Sequence, residues 1–487
     1  MFGLVLLAAV GAGEALRAWA RWKPESSRRF VHTSVGVATA LCPPFFESPG
    51  GIYALALLFI GVNLVAVPRR LFPGMHAISR PSWGTVAFPV ALVVALWLCW
   101  TLDPGRVYIL QAAFLVLAVS DSLASWVGER APRPGRFVVH GQTKSVAGSA
   151  AFALSAVALT AGALAVWGPE AWGAMEVAAG ALTAGGLATA AELLGKRGWD
   201  NLFIVLAVIV ALALLDARPD AAWLSVVALF VAVVFGVAAL RAGALDLSGA
   251  LAASLLAWAV VAVGGPAWAV PAVVFFVASS LLSRVGHSRK AEAEARAEKG
   301  SQRDAGQVLA NGGVGGALLT ATLFAPDPWT PVLYVAFVGA FAAAAADTWA
   351  TEIGTLIGGA TRDVLRWRPV APGESGGVSA GGTLGAVLGA GAVAGSAWPW
   401  MPQGIASPGV LLGVLVAAGV AGSLLDSLLG ATVQARYADP SGGLTERREV
   451  GGVALARVRG WRGVDNDRVN LACTLAGAVL AALVVGL

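Results

Sequence analysis

Apolar residues run along this chain in blocks close to twenty long, separated by short segments that hold nearly all of the charge. Such blocks predict membrane-spanning helices, because ~20 residues in helical form cross a hydrocarbon core of ~30 Å. They lie near 1–17, 32–46, 51–67, 83–101, 107–127, 146–167, 173–194, 201–215, 222–240, 244–264, 267–283, 305–324, 331–353, 383–399, 408–430 and 469–487. The expectation is an all-α, polytopic integral membrane protein of about sixteen transmembrane helices. The alternating strands of a membrane barrel are absent. A short polar break at 216–220 (DARPD) divides the blocks evenly, giving expected domains 1–217 and 218–487, each of about eight spans.

Composition agrees with this pattern. The chain is 57% hydrophobic and 13% charged, against roughly 25% charge in a soluble domain. The three cysteines lie in or beside apolar runs without CxxC spacing, which argues against a disulfide framework or a zinc site. The first run has no basic segment before it and no small-residue cleavage pattern, so it reads as a retained span rather than a signal peptide. When alternate loops are assigned to one side, every Lys and Arg of the 33 falls there except Arg106 and Arg218. The positive-inside rule makes that side cytoplasmic, with both termini outside. The two halves are then similarly oriented, in a plasma or cell inner membrane. The lipid bilayer is an expected partner and nucleic acid is not; a homo-oligomer is left open.

The polar residues repeat. Asp121 to Gly128 reads DSLASWVG, and Asp347 to Gly354 reads DTWATEIG. Gly141-Gln-Thr-Lys144-Ser145 with Gly148-Ser149 follows the first copy; Gly373-Glu-Ser375-Gly376-Gly377 with Gly382-Thr383 follows the second. Gly198-Trp-Asp200-Asn201 is matched by Gly463-Val-Asp465-Asn466. Three matches in one order indicate a duplicated unit, with its polar motifs at the cytoplasmic ends of helices.

These positions suit phosphate and metal chemistry. Asp121 and Ser125 share a helix face, as do Asp347, Thr351 and Gly354, with Glu352 nearby. A carboxylate with a hydroxyl one turn away can hold Mg²⁺, which keeps few protein ligands and takes nucleotide phosphates besides. The blander reading of Asp121 is a helix-end cap or an ion pair with Arg130. The glycine- and hydroxyl-bearing segments 141–149 and 373–383, the latter carrying Ser379, enter helices whose first N–H groups can bind phosphate. Lys144 would add a point charge; Gly376 aligns with it in the second copy. Neither segment is a Walker A loop. His32 precedes a span behind Arg28 and Arg29, and Asn311 holds the matching place as Asn311-Gly-Gly-Val-Gly315. Glu192 could simply pair with Lys196, and Asp200 could simply cap a helix. Asp426, Gly430 and Gln434 form one polar stripe, and Asp465, Asn466 and Asp467 cluster before the last span. The charged stretch 286–303 reads as a helical cytoplasmic linker.

The first half resembles the phytol kinase and dolichol kinase group through Arg29-x-x-His32, Asp121-Ser-x-Ala-Ser125, Lys144-Ser145 with Gly148, and Asp200-Asn201. The second half resembles the phytyl-phosphate kinases through Asn311-Gly-Gly, Asp347-Thr-x-Ala-Thr351-Glu352, Gly373-Glu-Ser375-Gly376-Gly377-Val-Ser379, Asp426-Ser-x-x-Gly430 and Asp465-Asn466. The resemblance implies a nucleoside triphosphate, CTP, as phosphate donor, and isoprenoid alcohol and isoprenyl phosphate as successive acceptors. Asp121, Asp347 and Asp426 would hold Mg²⁺, and His32 or Glu192 would accept the alcohol proton. The first half also shares features with phosphatidate cytidylyltransferases, which leaves a CDP-lipid-forming enzyme as an alternative. A parallel-repeat transporter fits less well, because the acidic motifs sit at helix ends rather than at mid-membrane.

Overall fold

The computed structural model describes residues 2–69, 82–285, 302–439, 443–450 and 453–486. The basic loop at 70–81 therefore lies outside the described residues, as does all of the expected linker helix 286–303 except 302 and 303.

Among the described residues the chain forms sixteen α-helices and nine short strands. In chain order the helices are α1 Phe2–Trp19, α2 Pro24–Leu41, α3 Gly50–Arg69, α4 Gly84–Leu96, α5 Val107–Arg130, α6 Val146–Trp167, α7 Ala174–Leu194, α8 Asp200–Ala217, α9 Ala222–Arg241 and α10 Leu247–Ala259. They continue as α11 Pro266–Arg284, α12 Ala305–Ala321, α13 Thr330–Ile357, α14 Ala380–Ser396, α15 Pro408–Thr432 and α16 Asn466–Gly486. Each expected apolar block is a helix. Thirteen of the helical stretches are long and apolar enough to cross a membrane. The remaining three are α2, whose first half carries Glu25, Arg28, Arg29 and His32, and the shorter α12 and α14.

The chain divides into two compact units, Met1–Phe230 and Val231–Leu487, with the break inside α9. The DARPD segment expected to be the boundary belongs to the first unit. Asp216 accepts hydrogen bonds from Arg106 (2.8 Å) and Tyr108 (2.9 Å) at the start of α5.

Each unit is built around one helix that is apolar on every face over most of its length, the mark of a buried helix. In the first unit it is α5, packed by α2, α6 and α8; in the second it is α13, packed by α11, α12, α14, α15 and α16. All residues of α13 from Tyr334 to Ala346 are buried. Its alanines let glycines of its neighbours approach the backbone, as at Gly389 beside Ala345 and Gly477 beside Ala343, the small-residue packing of membrane helices. The repeated Asp motif occupies the C-terminal end of each central helix.

Short β elements follow both motifs. Strands β1 Arg136–Val139 and β2 Gln142–Ser145 form an antiparallel hairpin. His140 (φ 51°) and Gly141 (φ 72°) make its two-residue turn, so the expected 141–149 loop is mostly a strand and a capped helix start. In the second unit β3 Arg362–Asp363 pairs with β4 Gly377–Val378. Between α15 and α16, β5 Arg436–Ala438 lies between β6 Leu444–Thr445 and β9 Arg457–Arg459, and β7 Glu449–Val450 pairs antiparallel with β8 Val453–Ala454.

Candidate functional sites at the ends of two central helices

The motif glycines and serines first do structural work. Ser145 Oγ accepts from Gly148 N at 3.1 Å and caps α6. Ser379 Oγ accepts from Gly382 N at 3.0 Å and caps α14. A Cβ on Gly148 would lie 2.9 Å from Ala124 O and 3.2 Å from Gly128 Cα; one on Gly382 would lie 3.2 Å from Ala350 O, and one on Gly354 3.2 Å from Gly382 Cα. Cap and close approach recur at matching positions of the two motifs. The matching also corrects the alignment: with Ser145 on Ser379, Lys144 falls on Val378 and not on Gly376.

In the first unit the polar groups converge at the end of α5. His32 Nε2 lies 3.6 Å from Asp121 Oδ2 and 3.4 Å from Leu117 O. The adjacent Thr33 donates to Ser122 Oγ at 2.7 Å. Arg29 reaches Glu129 at 2.8 Å. Lys144 is bound to the Glu192 carboxylate and to Glu192 O at 3.1 Å, so Glu192 takes Lys144 rather than Lys196 as partner, and its Oε2 is buried without one. Arg130 stacks on Trp126 at 4.2 Å and does not pair with Asp121. Asp200 lies within electrostatic reach of Asp121, Lys144 and His32. It makes no N-cap bond, Trp199 holding the cap position of α8. Asn201 donates to Gly84 O at 3.0 Å, joining the start of α8 to the start of α4. Ser125, one turn on from Asp121, is half-buried.

A cavity of about 460 Å³ opens from this cluster. His32, Asp121, Asp200 and Asn201 line one end with Glu14 and Arg28, and the walls from α1 to α4 are mostly apolar, broken by Thr39 and Asn63. Its volume is within the roughly 300–1,000 Å³ of small-molecule sites.

In the second unit Asp347 is joined by Asp426 and accepts a hydrogen bond from Ser423. Asp426 Oδ1 and Gln434 Oε1 are sequestered without partners. Gly430 gives Gly376 N and Ser375 room beside α15, where a Cβ would lie 3.0 Å from the former. Gly373 (φ 77°) and Gly376 (φ 86°) bend the 373–377 turn, and Gly377 N donates to Glu374 O at 2.9 Å. Ser375 Oγ donates to Glu446, which Arg436 also holds at 3.2 Å. Burial lowers the Arg436 pKa from its ordinary value, against the pull of Glu446. Arg459 donates to Gly430 O at 3.0 Å. Asn466 Oδ1 receives Gln434 Nε2 at 3.5 Å, while Asp465 takes Arg468 N and Arg448, at 3.2 and 2.9 Å.

Three expected members stand apart. Glu352 accepts from Ser283 of α11 at 2.6 Å; five residues beyond Asp347 it points about 140° away around the helix. Thr351 is exposed. Asn311 donates to Gln307 O of its own helix at 2.9 Å, unlike His32 against Asp121. The sequence reading missed Ser423, Arg436, Glu446 and Arg459. Only the density of basic residues in 431–468 hinted at the two arginines.

The carboxylate pairs offer oxygen donors, a set suited to a hard cation that keeps water or phosphate as further ligands. Among the described residues no cluster of three or more His, Cys, Asp and Glu forms an all-protein metal cage.

Comparison with known proteins gives the family. The family model of integral membrane protein DUF92 matches residues 230–478. Protein PGR of Arabidopsis thaliana is 31% identical over 261 residues, covering 49% of this chain and 88% of that protein. Uncharacterized membrane protein sll0875 of Synechocystis is 31% identical over 185 residues, 38% of this chain and 68% of its own length. Uncharacterized membrane protein MJ0933 of Methanocaldococcus jannaschii is 28% identical over 240 residues, 49% and 85% respectively. No solved structure matches. With its buried Asp-bearing central helix inside the matched region, the chain belongs to the DUF92 family of integral membrane proteins.

Proposed function

We propose that this protein is a bifunctional isoprenoid kinase: the first unit phosphorylates an isoprenoid alcohol, and the second phosphorylates the resulting monophosphate to the diphosphate, with CTP as donor. The observation that carries the reading is the cavity of the first unit, mostly apolar along α1 to α4 and ending at a polar cluster that includes His32, Asp121 and Asp200. That is the shape of a site for a long apolar molecule with one reactive polar end.

In the first step the alcohol oxygen attacks the γ-phosphorus and the bond to the β-phosphate oxygen breaks, releasing the nucleoside diphosphate. His32 accepts the hydroxyl proton, and Asp121 at 3.6 Å stabilises the imidazolium that forms. Lys144 and Glu192 hold the β1–β2 hairpin against α7, which positions the start of α6. In the second unit the acceptor is already an anion, so no base is required; Arg436 and Arg459 bring positive charge to the Ser375–Gly376 turn instead. Mg²⁺ on the nucleotide, held by Asp121 with Asp200 and by Asp347 with Asp426, would neutralise phosphate charge. The buried, unpartnered Asp426 Oδ1 and Gln434 Oε1 fit that duty.

The test is incubation of membranes bearing the protein with geranylgeraniol or phytol, Mg²⁺ and each nucleoside triphosphate, with lipid phosphates followed by mass spectrometry. Monophosphate followed by diphosphate with CTP is the expected result. A CDP-lipid would reassign the protein to the cytidylyltransferases, and no lipid product with any nucleotide would refute the proposal.

A further inference from the structure

The cavity of the first unit has a direction and a floor. Its polar end is fixed by Asn201 on Gly84 O and by the His32–Asp121 pair. From there α2 runs from His32 to Thr39 along the wall. The chain then turns at Pro43–Phe45 and returns as α3, so Ile52 lies at the far end and Asn63 nearer the polar one. Phe2, at the start of α1, meets Phe46 beside that turn with ring centroids 5.9 Å apart. The far end is therefore lined by Phe2, Thr39 and Ile52. Along α1, from Phe2 to Glu14, the groove is about 18 Å long at 1.5 Å per residue. Ile52 and Ala56 are almost fully buried, 1% and 2% exposed, and Ala56 lies one turn closer to the polar end than Ile52 on the wall of α3.

We propose that this groove measures the acceptor: the isoprenoid tail lies along it with its hydroxyl at His32, Ile52 is the floor that limits tail length, and the small side chain of Ala56 keeps the lower half open. The inference rests on the kinase reading for the identity of the acceptor and on the groove geometry for the ruler. A methylene more or less in a fitted apolar pocket changes discrimination by about 10–200-fold. A side chain filling the groove at Ala56 removes room for several methylenes, so it penalises long tails and spares short ones.

The experiment uses the full-length protein in detergent, as wild type, Ala56→Phe, Ile52→Ala and the control Leu57→Phe, whose parent side chain is 55% exposed on the outer face of α3. Two readouts run in parallel. One is nucleotide-free binding of geraniol, farnesol and geranylgeraniol by native mass spectrometry. The other is competition among the three alcohols for phosphorylation with CTP. Ala56→Phe should lower the geranylgeraniol-to-geraniol ratio in binding by at least about tenfold, Ile52→Ala should raise it, and Leu57→Phe should leave it unchanged. Should Ala56→Phe fail to elute as a folded species, Ile52→Ala and a milder Ala56→Leu carry the same test. A length order unchanged in the folded groove variants overturns the ruler, as does a groove holding only bilayer phospholipid that none of the alcohols displaces. Length-ordered binding without phosphorylation keeps the ruler and sinks the kinase reading; phosphorylation without length dependence does the reverse.

Discussion

Replacing Glu192 by Gln tests what fixes the hairpin of the first unit. Lys144 and Glu192 form an ion pair with side chains only 16% and 8% exposed. Gln leaves the ammonium buried beside a neutral group, and breaking a buried pair by removing one partner costs about 3–5 kcal/mol. For a unit of this size the melting temperature moves by about 2–4 °C per kcal/mol, so a drop of about 6–20 °C is expected. Replacing both partners by apolar residues of similar volume, Lys144→Met with Glu192→Leu, removes both desolvation costs; such exchanges range from neutral to about 1–4 kcal/mol stabilising. The double variant should therefore melt at or above the parent temperature while Glu192→Gln melts well below it. Melting of the purified protein followed by intrinsic fluorescence measures this. A Glu192→Gln protein that melts with the parent refutes the pair as a structural clamp. The double variant also divides the two roles of Lys144. Retained alcohol phosphorylation makes it a positioning group; lost phosphorylation with restored stability assigns it to the nucleotide.

Three other outcomes are expected. Asp121→Asn should abolish formation of the monophosphate and leave conversion of added monophosphate intact, while Asp347→Asn does the opposite; loss of both steps in either single variant, read from product masses, would rule out two separate sites. Gly148→Ala and Gly382→Ala place a methyl 2.9 and 3.2 Å from the carbonyl oxygens of Ala124 and Ala350. Overpacking of this kind costs about 1–3 kcal/mol, visible as earlier melting in both. Asp363 accepts from Arg366 N at 2.7 Å and Leu365 N at 3.0 Å, which holds its carboxyl below the usual 3.8. A depressed carboxyl stabilises the fold fully above its unfolded value and loses that contribution as pH falls through the folded one. Hydrogen exchange of the 362–378 segment, corrected for intrinsic rate, should show acid opening below about pH 4 that Asp363→Asn lacks.

How much of this was legible in the sequence depends on the range of the interaction. The helices follow from apolar run length alone, which is local, and all sixteen blocks became helices. The Asp motif stood out because a carboxylate ending an apolar run is costly at membrane depth. Its glycines were read as phosphate ligands when their first duty is to let α6 and α14 approach the central helices. Composition cannot separate those roles, since both demand a missing Cβ. The β1–β2 hairpin was missed because His140-Gly141 is a turn signal only when strands flank it, and Arg136–Val139 is too short to show alternation. The partners of Glu192, Asp426 and Ser375 come from 48 residues away in the first case and 71 in the last, a separation no periodicity encodes. Local alternatives such as Glu192 with Lys196 therefore looked sufficient until the fold chose otherwise.

The two units set one local frame to different ends. In both, a buried central helix ends in an Asp, a Ser-capped helix follows, and glycines close the gap between them. The differences lie in what the other elements bring to that Asp. The first unit brings His32, Asp200 and a groove lined largely by apolar residues, and its nearby cations Lys144, Arg29 and Arg28 are paired with Glu192, Glu129 and Glu25. The second, like the first, brings another carboxylate, here Asp426, but adds arginines of a small β region whose charge Glu446 only partly offsets. A neutral acceptor with one proton to lose requires a base and a dry pocket. An anionic acceptor requires positive charge to overcome its repulsion from the donor phosphates, and no base. Under the proposed kinase reading the polar groups divide between the units as those two steps require, which makes the single-unit variants of Asp121 and Asp347 the sharpest test of whether the chain carries two consecutive steps rather than one site in two copies.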